Sequence, residues 1–381
     1  MKTEMNNSSV SGLTASNFEP VRDAFTANFE DGLEVGAGFC VYKDGELVVD
    51  LIGGTSDRRG DVPWQKDTLV PIFSTTKAVA ALVIAWLVEQ DRLEYEQTVA
   101  SLWPEFAAKG KGDLTIAQVL SHQSGLSGIT EPMQPEDWFD WDGICARLAA
   151  QEPIWEPGTK SGYHPLTFGF LAGEIARRAD EQGRTLGTIL REKICAPNNI
   201  DFHLGTPESE HARIAALQKP RALSDFGEIN PATKAAFLHK WSSTGGRGAS
   251  AWRTSEFAGA NGHGTAKSLA RLMQLALDGH IGDTRYLSKT TLGALSKERI
   301  SGKDLVLPFN LTFAAGLMHS APNYFYGPNA DTLGHSGWGG SCAFSDRKAG
   351  ITCAYVMNKQ SHALLGDKRP LRLINALYQC L

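Results

Sequence analysis

Two serine–lysine pairs in this chain carry the spacing that can turn a hydroxyl into a nucleophile, Ser74-Thr75-Thr76-Lys77 and Ser345-Asp346-Arg347-Lys348. Serine is a poor nucleophile at neutral pH and needs a base beside it. On a helix, positions i and i+3 share a face. A lysine three residues after a serine can therefore reach its Oγ, and burial at the positive end of a helix lowers the lysine pKa toward that of a usable base. A match that occurs twice selects neither copy, so context must decide. Ser345 opens S-D-R-K-A-G between two β-rich runs, which is hairpin-turn chemistry. Ser74 follows the strand-like approach TLVPIF and precedes the apolar run AVAALVIAWLV, so it stands at a helix entrance. The competing structural reading makes Ser74 a helix cap and leaves Lys77 in solvent.

The surrounding elements must position that entrance. FEPVRDAFTANFEDG (18–32) has helical spacing ending at a glycine. GAGFCVYKDGELVVDLIGG (36–54) reads as two strands joined by a K-D-G turn. The helix after Ser74 runs to about Gln90. Helical patterns fill the middle of the chain: 115–125, 141–151, 165–180 and 186–197. Residues 246–264 are glycine-rich and read as irregular surface. TAKSLARLMQLALDG (265–279) is an amphipathic helix with Thr265 as N-cap. After residue 310 the period becomes strand-like, and 369–381 form a last helix. The expected fold class is α+β: an antiparallel sheet flanked by helices, with an inserted, mostly helical lobe. The sheet domain is expected to be discontinuous, 1–95 and 265–381, with 96–264 as the helical domain and a cleft between them.

Composition removes several function classes. Net charge is −5, and no basic field favours nucleic acid or an anionic membrane. The longest apolar window, 78–88, is too short to span a bilayer, and the first seventeen residues contain no signal-peptide run. Six scattered cysteines without close pairing read as reduced thiols in a cytoplasmic protein. There is no G-x-S-x-G elbow, no H-E-x-x-H, no paired-cysteine zinc spacing and no phosphate loop.

Two further stretches add chemistry. WEPGTKSGYHPLTFGF (155–170) sets Tyr163 just ahead of a helix. TLGHSGWGGSCAF (332–344) is a polar, glycine-rich strand of the kind that lets a ligand approach backbone. Together with S-T-T-K, these stretches resemble the serine β-lactamase-like superfamily, which holds class C β-lactamases, penicillin-binding proteins and family VIII carboxylesterases. The resemblance runs through LTIAQVLSHQSGL and NGHGTAKSLARL, covers most of the chain, and is strongest to family VIII esterases of the EstB-like and EstA-like kind. It implies Ser74 as nucleophile, Lys77 as its adjacent lysine and Tyr163 as the tyrosine of Y-x-N. His335-Ser336-Gly337 match the third motif, and Trp338 matches a tryptophan lining the acyl pocket. The superfamily geometry implies an oxyanion site on the N–H groups of Ser74 and Trp338.

Two departures stand out. Pro165 replaces the asparagine of Y-x-N, and His335 replaces a lysine that would pair with a β-lactam carboxylate. Histidine is mostly uncharged at neutral pH. The implied function is a serine carboxylesterase acting on short-chain esters through an acyl-enzyme, with weak or no β-lactamase activity. No metal or cofactor is expected. The expected partner is a small-molecule ester, with no nucleic acid and no membrane; a homo-oligomer is left open. Rival readings are a β-lactamase or D-amino-acid peptidase, a non-catalytic penicillin-binding sensor, and a Ser-His-Asp triad using His335. Ser74→Ala is expected to lose at least about a thousandfold in kcat. If Ser345→Ala gave the larger loss, the choice between the two pairs would be reversed.

Overall fold

The computed structural model describes residues 10–220, 222, 224–246 and 248–381. Among the described residues nine strands form one antiparallel sheet: β1 (Ser11–Thr14), β2 (Gly36–Lys43), β3 (Glu46–Gly54), β4 (Ile300–Lys303), β5 (Asn310–Phe313), β6 (Met318–His319), β7 (Leu333–Ser336), β8 (Cys342–Asp346) and β9 (Ile351–Met357). Their spatial order is β1-β3-β2-β9-β8-β7-β6-β5-β4. The expected hairpin closes at Asp44-Gly45, where both residues take left-handed φ (50° and 85°). That geometry matches the right-handed twist of the flanking strands.

The central strands are buried on both faces, and alternate residues serve different helix layers. Phe39, Val41, Cys353, Tyr355 and Met357 face the layer of α1 (Glu19–Glu30) and the C-terminal helix Lys368–Gln379. Cys40, Ala343, Ala354 and Val356 face the other layer, which contains α2 (Thr76–Glu89). Small residues on that second face let a helix come close. A Cβ on Gly38 would lie 3.4 Å from that of Ala266, in the helix Ala266–Leu272 capped by Thr265. α2 is apolar on nearly every side because it is enclosed by the sheet, by α3 (Thr167–Ala179) and by the helix Lys289–Ser296.

Three expectations need correction. The stretch 246–264 is not all surface: Trp252, Phe257, Ala258, Asn261 and His263 are buried, and His263–Gly264 is the central strand of a small sheet with Val70–Pro71 and Phe202–His203. Glycine there serves close packing, since a Cβ on Gly262 would sit 2.6 Å from the Phe202 ring. Ser345 lies within β8, buried, and the turn begins only after Asp346. The helix expected over 115–125 is also shorter, spanning Ile116–Leu120. All six cysteines are unpaired. No helix among the described residues is long and apolar enough to cross a membrane.

One buried ion cluster joins the C-terminal helix to the loop after β7. Arg369 donates to Glu34 Oε2 (3.2 Å), Asp367 Oδ2 (2.8 Å), Lys359 O (2.6 Å) and Gly339 O (2.6 Å). Its side chain is 3% exposed. Removing one partner from such a cluster strands the others without compensation. Arg369→Met is expected to lower the unfolding free energy by about 3–5 kcal/mol in urea titrations. A loss below about 1 kcal/mol would show that the cluster is not a structural clamp.

Candidate active site

Ser74 sits in a single 3-10 turn, Phe73–Thr75, directly ahead of α2. Phe73 takes φ +47°, backbone that a bulky residue adopts only where its surroundings enforce it. The enforcement comes from both sides. Thr76 Oγ1 donates to Phe73 O (2.5 Å) and accepts from the Gly262 N–H (2.9 Å), while the Ile72 N–H donates to Gly262 O (2.9 Å). From the sheet, Ser341 Oγ donates to Ile72 O (2.7 Å) and lies 3.0 Å from Thr75 Oγ1. Gly337 permits this seam, because a Cβ there would fall 2.2 Å from Ile72 O. The segment Ser336–Trp338 thereby lies along the turn that carries Ser74.

Lys77 is fully buried. Its Nζ donates to Ser74 Oγ (3.2 Å), Pro165 O (3.0 Å) and Gly259 O (2.7 Å). Burial holds its pKa well below the ordinary lysine range. Tyr163 packs its ring 4.8 Å from Lys77 Nζ. Burial pushes the phenol pKa up, and a hydrogen bond with Ser74 offsets part of that rise. Three imidazoles surround the pair: the His122 ring lies 4.8 Å from Tyr163, the His164 ring 5.2 Å from His122, and the His335 ring 6.1 Å from Tyr163. Burial drives all three pKa values down, those of His164 and His335 to about 3. The shell around Lys77 is thus polar and uncharged at neutral pH.

A cleft of about 440 Å³ opens over this group. Ser74, Tyr163, Ser336 and Trp338 line it, with apolar walls that include Phe237, Leu238 and Trp252. Trp338 meets the Phe73 ring edge-on at 5.8 Å, and its Nε1 donates to Ser224 Oγ (3.2 Å). Lys77 and Gly337 are not among the lining residues, and neither is His335. The His335 ring is buried, with Nδ1 2.8 Å from Ser336 O and Nε2 without a partner. Of the expected site residues, the structure brings Ser74, Lys77 and Tyr163 into contact and sets Ser336, Gly337 and Trp338 beside them. His335 lies behind Tyr163. Among the described residues no group of three or more His, Cys, Asp or Glu side chains could hold a metal ion.

Sequence reading missed the parts that hold Lys77. Gly259 O lies on the loop 255–261, which Asn261 ties down by accepting from the Phe257 N–H (2.9 Å) and donating to Trp252 O (2.6 Å) and Ser255 O (2.7 Å). Backbone carbonyls leave no mark in a sequence, and the burial of Asn261 is seen only in the structure. His122 was also missed. It takes left-handed φ (65°) and its Nδ1 accepts from the His164 N–H (3.1 Å), which holds the Tyr163–Pro165 segment in register.

Comparison with known proteins agrees with this fold. The beta-lactamase family matches residues 25–377. The esterase/beta-lactamase LipL of Mycobacterium tuberculosis is 34% identical over 369 residues, covering 92% of this chain and 83% of that protein. A penicillin-binding protein homolog from Caulobacter crescentus superposes with a TM-score of 0.95 at 52% identity, covering 98% of this chain and 100% of its own. A family VIII carboxylesterase superposes with a TM-score of 0.92 at 41% identity, with the same coverage. A family match over nearly the whole chain, with relatives this similar, means that the chain belongs to the beta-lactamase family of hydrolases.

Proposed function

We propose that the protein is a serine carboxylesterase that hydrolyses short-chain esters through an acyl-enzyme on Ser74. The observation that carries this reading is the buried Lys77 Nζ, 3.2 Å from Ser74 Oγ, with its pKa held down by burial. A lysine in that state accepts a proton, and a lysine in solvent would not. Similarity to LipL and to a family VIII carboxylesterase supports the same chemistry.

Ser74 Oγ attacks the ester carbonyl, and its proton passes to the Lys77–Tyr163 pair, which titrates as a unit. The tetrahedral oxyanion is stabilised by the backbone N–H groups of Ser74 and Trp338. The pair then returns the proton to the leaving alkoxide, which departs as the alcohol and leaves the acyl-Ser74 ester. Water, deprotonated mainly through Tyr163, attacks that ester and releases the acid, and the proton returns to Ser74. His335 orients the site from behind Tyr163 and takes no proton, since its pKa near 3 leaves it neutral throughout the working range. The cleft lies between the sheet domain and the helical lobe in this reading. Pro165 supplies only a carbonyl where Y-x-N supplies an amide, and His335 supplies no cation for a β-lactam carboxylate. Both features favour esters over β-lactams.

Two outcomes are expected. In p-nitrophenyl esters of increasing length, kcat/KM should peak between acetyl and butyryl and fall by octanoyl, because Trp338 narrows the acyl side of the cleft; a chromogenic cephalosporin should be turned over far more slowly. A rate still rising at dodecanoyl would contradict the short-chain assignment. In pH–rate profiles, kcat/KM should rise with pH through the depressed Lys77 pKa, so the ascending limb should lie well below the ordinary lysine range. Lys77→Ala and Tyr163→Phe should each lose about a hundred- to ten-thousandfold, and His335→Ala should lose less. Near-wild-type Tyr163→Phe with a large loss in His335→Ala would require a serine–histidine mechanism instead.

A further inference from the structure

Behind the wall of the cleft stands a second tyrosine that the mechanism above does not use. Tyr326 lies on the loop between β6 and β7 and is 1% exposed. It is fixed from several sides. Its N–H donates to Ser320 Oγ (3.2 Å), which in turn donates to Gly327 O (3.0 Å). Tyr378 Oη donates to Tyr326 O (3.4 Å). The ring stacks on Phe344 at 6.0 Å. Gly334 leaves room for it, since a Cβ there would lie 3.0 Å from the ring edge. Held in this way, Tyr326 Oη lies 3.1 Å from Ser336 Oγ and 3.5 Å from Met318 Sδ.

A phenol buried this deeply is unfavourable unless its hydroxyl is bonded. A thioether sulfur is a weak acceptor and a hydroxyl oxygen a good one, so the phenol donates to Ser336 Oγ. Burial raises the Tyr326 pKa, which keeps that proton on the phenol at neutral pH. Ser336 Oγ is thereby occupied from behind as an acceptor. It has no other hydrogen-bond partner among the described residues, and Ser336 lines the cleft. The serine's own proton is left for whatever fills the cleft. Tyr326 thus turns a hydroxyl that could rotate into a donor of fixed direction. Tyr163 lines the same cleft and packs in the same apolar cluster as Tyr326. The donor therefore stands on the side where the Lys77–Tyr163 pair meets the leaving oxygen.

We propose that Tyr326 is a positioning residue for Ser336, and that the Ser336 hydroxyl donates a hydrogen bond to the alkoxy oxygen of the ester as it leaves. This deepens the esterase reading and rests on it. The proton that makes the alcohol still comes from the Lys77–Tyr163 pair; Ser336 shares the growing negative charge and keeps its own proton. The device matters most for esters of weakly acidic alkyl alcohols, because an activated phenolate leaves without help.

The test is kcat/KM, which reports acylation, for acetates whose leaving groups become steadily less acidic: p-nitrophenyl, phenyl, trifluoroethyl and ethyl. Wild type, Tyr326→Phe, Ser336→Ala and the double variant are compared. Tyr326→Phe is expected to lose about tenfold on ethyl acetate and less than about twofold on p-nitrophenyl acetate, as removal of one hydrogen bond to a charged oxygen would. Ser336→Ala should show the same dependence at equal or greater depth, and adding Tyr326→Phe to it should cost nothing more. An equal loss on every ester would mark a purely structural tyrosine and overturn the proposal. So would wild-type rates throughout in Tyr326→Phe, or an undiminished Tyr326→Phe loss in the Ser336→Ala background. If Tyr326→Phe does not fold, the Ser336→Ala profile decides, and a flat one overturns the proposal. A wild type that turns over no acetate removes the esterase reading and this proposal with it, whereas normal turnover with flat profiles removes the proposal alone.

Discussion

Everything at this site depends on a lysine buried beside a serine with no counter-charge. An ammonium removed from water is costly unless it is paired, and the usual relief is to give up its proton. Lys77 is surrounded by carbonyl oxygens, a hydroxyl, a phenol and neutral imidazoles. That setting tolerates both protonation states without locking either. A carboxylate at the same distance would hold the proton on nitrogen. The depressed pKa values of His122, His164 and His335 follow from the same burial. These imidazoles add polarity and shape without adding charge.

The fold is arranged to keep that environment rigid. α2 is enclosed on nearly all sides, so the turn at its start cannot relax. The left-handed Phe73 is held by Thr76 and Gly262 from one direction and by Ser341 from the other. Glycine appears where two backbones must touch: Gly337 against Ile72, and Gly169 against the loop that presents Gly259 O. Arg369 fastens the loop after Trp338 to the C-terminal helix. Parts of the chain separated by more than 200 residues thus meet around one ammonium group.

Much of this was legible in the sequence, for physical reasons that differ by element. The hairpin, α2 and the capped helix at Thr265 follow from periodicity and turn chemistry, which are local signals. Ser74 was separated from Ser345 by the apolar run that follows it, although the stated reason for rejecting Ser345 was wrong in detail: it is a buried strand residue. The stretches holding Tyr163, His335 and Trp338 stood out by local context, but the roles of those residues came only through the family resemblance, because no local pattern assigns them. The carbonyls of Pro165 and Gly259 were invisible, since the contact is made by backbone atoms that every residue has. The stretch 246–264 was misread because glycine marks both loose surface and tight packing. Only the tertiary contacts of Asn261 and Gly262 tell the two apart.

The central claim is that Ser74 carries a transient acyl group. The direct test is mass spectrometry of the protein mixed with p-nitrophenyl acetate, quenched in acid within the first turnovers and digested. The account predicts an acetyl group on the peptide containing Ser74 that disappears as substrate is exhausted, and no such adduct in Ser74→Ala. An adduct that persists after the ester is gone would mark a protein that acylates without turning over, and turnover accompanied by acetylation elsewhere, with Ser74 unmodified, would contradict the account.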